Sequence, residues 1–175
     1  MKQEVTYDMA QSRHADTLWY FAYGSNMHRS IFVERRQMHP LEVRQGCLEH
    51  YRLCFNLPIG PGERGVANLE PEGGTRTYGV LYLLTPSDSD RLDRTEGVDR
   101  GVYRRTPVEV LAEEEEWIQA FTYLSSLHQP NRKPSARYLG LLVAGARQHR
   151  LPAEYVQFLE RFELARDERQ DKVLA

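Results

Sequence analysis

The sequence predicts an α+β fold, a small and mostly antiparallel β-sheet or barrel with flanking helices. Strand-like runs dominate residues 18–124, and two of them flank the acidic stretch "AEEEE" at 112–116 in the manner of a hairpin. Helical patterning gathers late, after residue 134. Strands and helices do not alternate regularly, which argues against a parallel βαβ sheet.

Taken in order, Leu18 to Tyr23 has the aromatic enrichment of a buried strand, and Asn26 to Arg36 suits one short irregular helix. From Cys47 to Phe55 the residues alternate, with Cys47, Glu49, Tyr51, Leu53 and Phe55 on one face of a half-buried strand. "LPIGPGERG", Leu57 to Gly65, is a loop, because its prolines and glycines leave little regular structure possible. "YGVLYLL", Tyr78 to Leu84, is apolar on both faces and suits a central strand. Val102 to Leu111 and Trp117 to Leu124 form the hairpin, with Pro107 marking a bulge or a sheet edge.

Three helices have local start signals. Thr85-Pro86-Ser87-Asp88 supplies a cap, a proline at the first helical position and an acid three residues after the cap, so a helix starts there and ends at Gly97. Ser135 caps a second, carrying Tyr138, Leu141, Leu142 and Gly145 at helical spacing. Pro152 starts a third, with Tyr155, Phe158, Leu159 and Phe162 on one face.

At 175 residues and 41% hydrophobic, the chain can bury one core. The expected organisation is a loose tail over residues 1–17, a single domain over 18–165 and a polar tail over 166–175. With 23 basic against 25 acidic side chains, no global field draws nucleic acid or anionic lipid to the surface. The expected partner is a small molecule or another protein. Cys47 and Cys54 are expected on opposite strand faces and unable to bridge, which fits a reduced compartment. The first 17 residues lack a basic-then-apolar secretory pattern, and no run of about 18 apolar residues exists to span a membrane. A cytoplasmic protein is therefore expected.

Several motifs invite a functional reading. Gly60-Pro61-Gly62-Glu63-Arg64-Gly65 matches a dinucleotide fingerprint, but a strand-like segment follows it where that fingerprint needs a helix. The six histidines have no metal-ligand spacing to one another or to a cysteine, so no metal is expected. Glu113 to Glu116 reads as a solvated turn. Ser25 lacks the nucleophile-elbow context and suits a backbone or hydroxyl contact instead. The strand ending in Gly24-Ser25-Asn26 is either an ordinary turn or a loop whose amides face a ligand.

Glu96 differs from the other acids. Ser89, Leu92 and Glu96 share one face of the helix beginning at Pro86, so the carboxylate points to the apolar side. Such an acid is either held in a hydrogen-bond network, with Arg100, Arg104 or Arg105 as candidate partners, or functional. Tyr123 and Tyr138 sit among apolar neighbours and read from spacing alone as core residues.

Five segments in this order, "FAYGSNM" at 21–27, "GVANLEPEGGTRTYGVLYLL" at 65–84, "LDRTEGVDRGVYRR" at 92–105, "TYL" at 122–124 and "PSARYLGLLVAGARQHRLPAEY" at 134–155, resemble the γ-glutamylcyclotransferase family. The resemblance implies a small β-barrel with flanking helices and conversion of a γ-glutamyl amide to 5-oxoproline with release of the amine. It implies a small-molecule γ-glutamyl substrate and no cofactor, with a homodimer as the assembly open by family analogy. The family's catalytic glutamate falls on Glu96, its substrate loop on Tyr23, Gly24, Ser25, Asn26 and Met27, and its pocket tyrosines on Tyr123 and Tyr138. Members of the fold group act on γ-glutamyl amino acids or γ-glutamyl amines, so the fold does not fix the leaving group. A catalytically silent binding domain of the same fold is the alternative.

Overall fold

The computed structural model describes residues 16–166, without the side chain of Glu114. Both expected tails therefore fall almost wholly outside the described residues. Five strands, β1 (Leu18–Ala22), β2 (Glu42–Pro58), β3 (Gly65–Leu84), β4 (Arg104–Ala112) and β5 (Trp117–Leu124), close into a barrel in the order β1-β3-β2-β4-β5. All neighbours are antiparallel except β1 and β5, which meet in parallel at Tyr20 and Phe121. The α+β barrel with flanking helices is thus the observed architecture. Tyr78 to Leu84 has the expected central position, between β1 and β2.

β2 and β3 are longer than their sequence signals suggested, and form one extended hairpin with its turn at 59–64. The strand signal of β3 is interrupted by Pro71 and Gly73-Gly74. In the structure these residues belong to an irregularity, for Glu49 pairs with Arg76 and Tyr51 with Pro71, so that Glu72 to Thr75 bulge out opposite His50. His50 and Gly74 take left-handed backbone angles there, φ 64° and 83°. This break shifts the alternation by one residue. Leu48 before it and Leu53 and Phe55 after it all enter the main core cluster, whereas Cys47, itself buried, and the half-buried Cys54 both lie on the other face, outside that cluster. The expectation of cysteines on opposite faces is therefore corrected; both are free thiols.

Pro107 sits on an edge and not at a bulge. β4 pairs with β5 without a break from Arg104 to Leu111, while β2 touches β4 only at Leu111 and Ala112. The missing amide of Pro107 therefore costs the ladder no bond.

The segment after β1 is not one helix. A 3-10 turn, Ser25–Met27, is followed by a π-helical turn, Ser30–Arg35. Phe32 anchors the second turn, stacking on Tyr82 with ring centroids 4.1 Å apart. Full burial of such a ring contributes about 1.5–3 kcal/mol.

Helix α1 spans Pro86–Thr95, and the Thr85 hydroxyl accepts from the Asp88 amide at 3.2 Å. Glu96 is its C-cap, and Gly97 stops it with φ 67°, a left-handed conformation that favours glycine. Helix α2 spans Ala136–Gln148 and is capped by Ser135. It lies directly on the 3-10 turn, since a Cβ on Gly145 would stand 2.8 Å from the backbone carbon of Met27. Helix α3 spans Ala153–Glu160 and buries Tyr155, Val156 and Leu159, while Phe158 is 40% exposed and stacks over Tyr155. Among the described residues no helix is long and apolar enough to cross a membrane.

Candidate active site

The ends of β1, β2 and β5 and the start of β3 converge on one side of the barrel. There they meet the C-terminus of α1 and the first turn of α2 around a cleft of ≈ 900 Å³. Tyr23, Gly24, Ser25, Asn26, Glu96, Tyr123 and Tyr138 all line it. Seven residues expected from four separate segments are therefore brought together. Met27 is not among them: it is fully buried beneath Gly145 and belongs to the core.

Glu96 is the only carboxylate among the described lining residues. Its side chain is 11% exposed. One oxygen, Oε1, accepts from Asn26 Nδ2 at 2.9 Å and from Arg36 Nη1. Arg36 Nη1 also donates to the Thr95 hydroxyl at 2.7 Å, and that hydroxyl donates to the Leu92 carbonyl. The carboxylate is thus fixed through α1 on one side and through the loop after β1 on the other.

The ion-pair partner of Glu96 is therefore Arg36, and not Arg100, Arg104 or Arg105. Arg105 is engaged elsewhere. It donates to both oxygens of Asp93, reaching Oδ2 at 2.8 Å, and its guanidinium lies 4.2 Å from the centre of the Phe121 ring. Nothing local in the sequence marks Arg36, because the pair spans sixty residues.

Asn26 is buried, and its Nδ2 donates both to Glu96 and to the Tyr20 hydroxyl, at 2.9 Å each. Its backbone carbonyl accepts from the Tyr82 hydroxyl at 3.0 Å. The loop is further tied down by Tyr23, whose hydroxyl donates to the Tyr123 carbonyl of β5. Met27 and His28 amides return to the carbonyls of Gly24 and Ser25, each at 3.0 Å, closing the turn.

A side chain at Gly24 would crowd the Tyr138 hydroxyl. Its φ of −110° is open to other residues, but a Cβ would stand 3.2 Å from the Tyr138 hydroxyl. That hydroxyl accepts from the Ala67 amide at 3.1 Å. Burial pushes its pKa up to about 12, partly offset by the Ala67 and Ser25 backbone. The Tyr123 hydroxyl donates to Asp93 Oδ1 at 2.5 Å. Burial likewise raises Tyr20, Tyr23, Tyr103 and Tyr123, so these phenols stay protonated at neutral pH. Tyr20 and Tyr103 are lining residues that the sequence reading missed. Their signal was the aromatic run itself, which reads equally as core.

The site combines one carboxylate held at a fixed angle, a tight turn of backbone amides and a wall of neutral phenols. Such a set can move one proton and stabilise a developing oxyanion.

The chain's sequence and fold are similar to those of known proteins. Residues 76–159 match the AIG2-like family. The γ-glutamylcyclotransferase of Mus musculus is 30% identical over 158 residues, covering 86% of this chain and 81% of that protein. The γ-glutamyl cyclotransferase gliK of Claviceps purpurea is 33% identical over 139 residues, 74% of this chain; the chain spans 63% of that longer protein. A solved γ-glutamyl cyclotransferase structure superposes with a TM-score of 0.76 at 24% identity, covering 90% of this chain and 98% of that one, and shares the fold. The barrel and its flanking helices are those of the γ-glutamylcyclotransferase-like fold. The chain belongs to the γ-glutamylcyclotransferase family.

Proposed function

We propose that the protein converts a γ-glutamyl amide to 5-oxoproline and a free amine, with Glu96 as the general base and then the general acid. The observation that carries this reading is the sole carboxylate among the described residues of the cleft lining, oriented by Asn26 and Arg36 beside the Tyr23–Asn26 loop. The substrate's α-amine is protonated at neutral pH and must lose that proton before its nitrogen can attack the γ-carbonyl carbon. Glu96 takes the proton; the ring C–N bond forms and the carbonyl oxygen gathers negative charge. As the carbonyl reforms, the amide C–N bond breaks and the carboxylic acid gives its proton to the departing nitrogen; the carboxylate then takes the second proton from the ring nitrogen and passes it to the released amine, leaving the neutral lactam.

A general base contributes about 10²- to 10⁴-fold to such a step. The Ser25 amide faces the Tyr138 hydroxyl and the Asn26 amide has no partner within the turn, so this end of the loop, with the phenol, is the donor set on offer to the oxyanion. Gly24 keeps that approach unobstructed. Since nucleophile and electrophile belong to one molecule, the protein need only hold a bent conformer, and the balanced reaction consumes no cofactor.

The test is product identity. A panel of γ-glutamyl amino acids and γ-glutamyl amines, assayed by mass spectrometry, is expected to yield 5-oxoproline with the free amine in equal amount. Glutamate in place of 5-oxoproline would mean attack by water and would overturn the cyclising mechanism. The alternative of a silent binding domain predicts ligand binding with neither product.

A further inference from the structure

We infer that the outer part of the cleft selects a leaving group bearing two carboxylates, such as an acidic amino acid linked through its amine, with Arg64 and Arg137 as the specificity-determining pair. This deepens the cyclotransferase reading and rests on it.

The charge of the lining is lopsided. The chain as a whole carries a formal net charge of −2, yet among the described residues five arginines, Arg35, Arg36, Arg64, Arg100 and Arg137, line the cleft against the single carboxylate of Glu96. Arg36 is already used by Glu96, and Arg100 lies 3.9 Å from its neighbour Asp99. Arg35, Arg64 and Arg137 have no acidic partner among the described residues. On the barrel wall the pattern differs, for Arg44, Arg52 and Arg76 each face a glutamate. Like charges gathered around a concave surface repel one another and focus a positive potential that an anion relieves.

The arrangement along the chain separates two groups. Arg35 belongs to the same π-helical turn that leads to Arg36, on the Glu96 side. Arg64 closes the β2–β3 turn, and Arg137 lies in the first turn of α2, beside Tyr138. A γ-glutamyl substrate with its amine at Glu96 presents its own α-carboxylate to the Arg35 side. Its leaving group then extends toward Arg64 and Arg137. A simple amine would leave both cations unmatched, and a neutral amino acid one of them. An acidic amino acid supplies a carboxylate to each. The cleft, at ≈ 900 Å³, has room for such an extended ligand.

Arg137 is exposed and Arg64 half-buried, so each pair is screened by water and salt and contributes modestly. One such pair corresponds to about a threefold preference. The experiment compares kcat/KM for γ-glutamyl-glutamate and its near-isostere γ-glutamyl-glutamine, at low salt and at high salt. The two substrates differ by one carboxylate, so the acidic one is expected to be favoured about threefold through KM, with the ratio shrinking in salt and falling toward one in the Arg64→Gln/Arg137→Gln protein. Arg137→Gln alone covers the case in which loss of Arg64 disturbs its turn. Equal kcat/KM for the two substrates, or a preference that survives both substitutions, overturns the inference while leaving the cyclotransferase reading intact. If neither substrate yields 5-oxoproline, it is that reading that fails. Calorimetric binding of the same two compounds to the wild-type protein then decides the charge preference without turnover: tighter binding of the acidic one supports it, and equal binding overturns it.

Discussion

Replacing Gly145 with alanine tests the contact that seats α2 on the loop after β1. The new Cβ would stand 2.8 Å from both the backbone carbon and the Cβ of Met27, and 2.9 Å from the His28 amide nitrogen. None of these is the far end of a flexible side chain, so the helix or the loop must move. Overpacking of this kind costs about 1–3 kcal/mol. Alanine returns up to about 1 kcal/mol over glycine in a helix interior. The net expectation is a loss of about 1–2 kcal/mol, which lowers the melting temperature by about 3–6 °C in a domain of this size.

Gly140 provides the internal control. It lies in the same helix, exposed, and an added Cβ meets nothing within 4 Å. Gly140→Ala should therefore stabilise, by about 0.5–1 kcal/mol, because only the propensity gain remains. Thermal and denaturant unfolding of both variants measure the two effects side by side. Because the same turn carries Asn26, Gly145→Ala should also slow 5-oxoproline formation, by about tenfold for a displacement of a few tenths of an ångström. A Gly145→Ala protein as stable as Gly140→Ala would refute the packing argument and with it the claim that α2 positions the loop.

Asn68 is buried, donating to Asn56 at 3.0 Å and to the Ser125 carbonyl at 2.9 Å while accepting from the Ser125 amide at 3.0 Å. Asn68→Ala should cost about 2–4 kcal/mol in denaturant unfolding, since it leaves several buried groups unpaired. Tyr123→Phe loses a hydroxyl already engaged by Asp93, so turnover should stay within about threefold of wild type with a stability loss near 1 kcal/mol; a hundredfold fall in kcat would mean that this hydroxyl reaches the substrate. Burial pushes the Cys54 thiol up to about 12, and raises Cys47 as well, above the ordinary thiol value of about 9.0. The folded state thus holds its protons longer than the unfolded chain, and stability present below pH 9 is lost as pH rises toward 12. Denaturant midpoints at pH 8 and 10 should show that fall, and both thiols should resist alkylation at pH 8 until the protein unfolds.

Features carried by neighbouring residues were legible in the sequence. Helix α1 announced itself through Thr85, Pro86 and Asp88, and the spacing from Ser89 through Leu92 put Glu96 on the inner face before any fold was known. The length of the β2–β3 hairpin was obscured, because Pro71 and Gly73-Gly74 have the chemistry of a turn, and the bulge they form reverses the alternation on which the strand-face assignment depended. The Arg36–Glu96 pair is a product of closure of the barrel and of α1 packing, with no local pattern to reveal it. The loop from Tyr23 to Asn26 came from family resemblance, and Met27 shows the limit of carrying a motif over whole: adjacent positions in a tight turn point to opposite sides, one into the cleft and the next under a helix.

The central claim is that one carboxylate moves the proton. The most direct measurement is the rate of 5-oxoproline formation from a bound γ-glutamyl substrate by wild type and by Glu96→Gln, with occupancy of each established by calorimetry. The substitution keeps the shape and removes the base. A rate about 10²- to 10⁴-fold lower with ligand still bound is the predicted result. An unchanged rate at equal occupancy would contradict the account and send the search for the base elsewhere in the cleft.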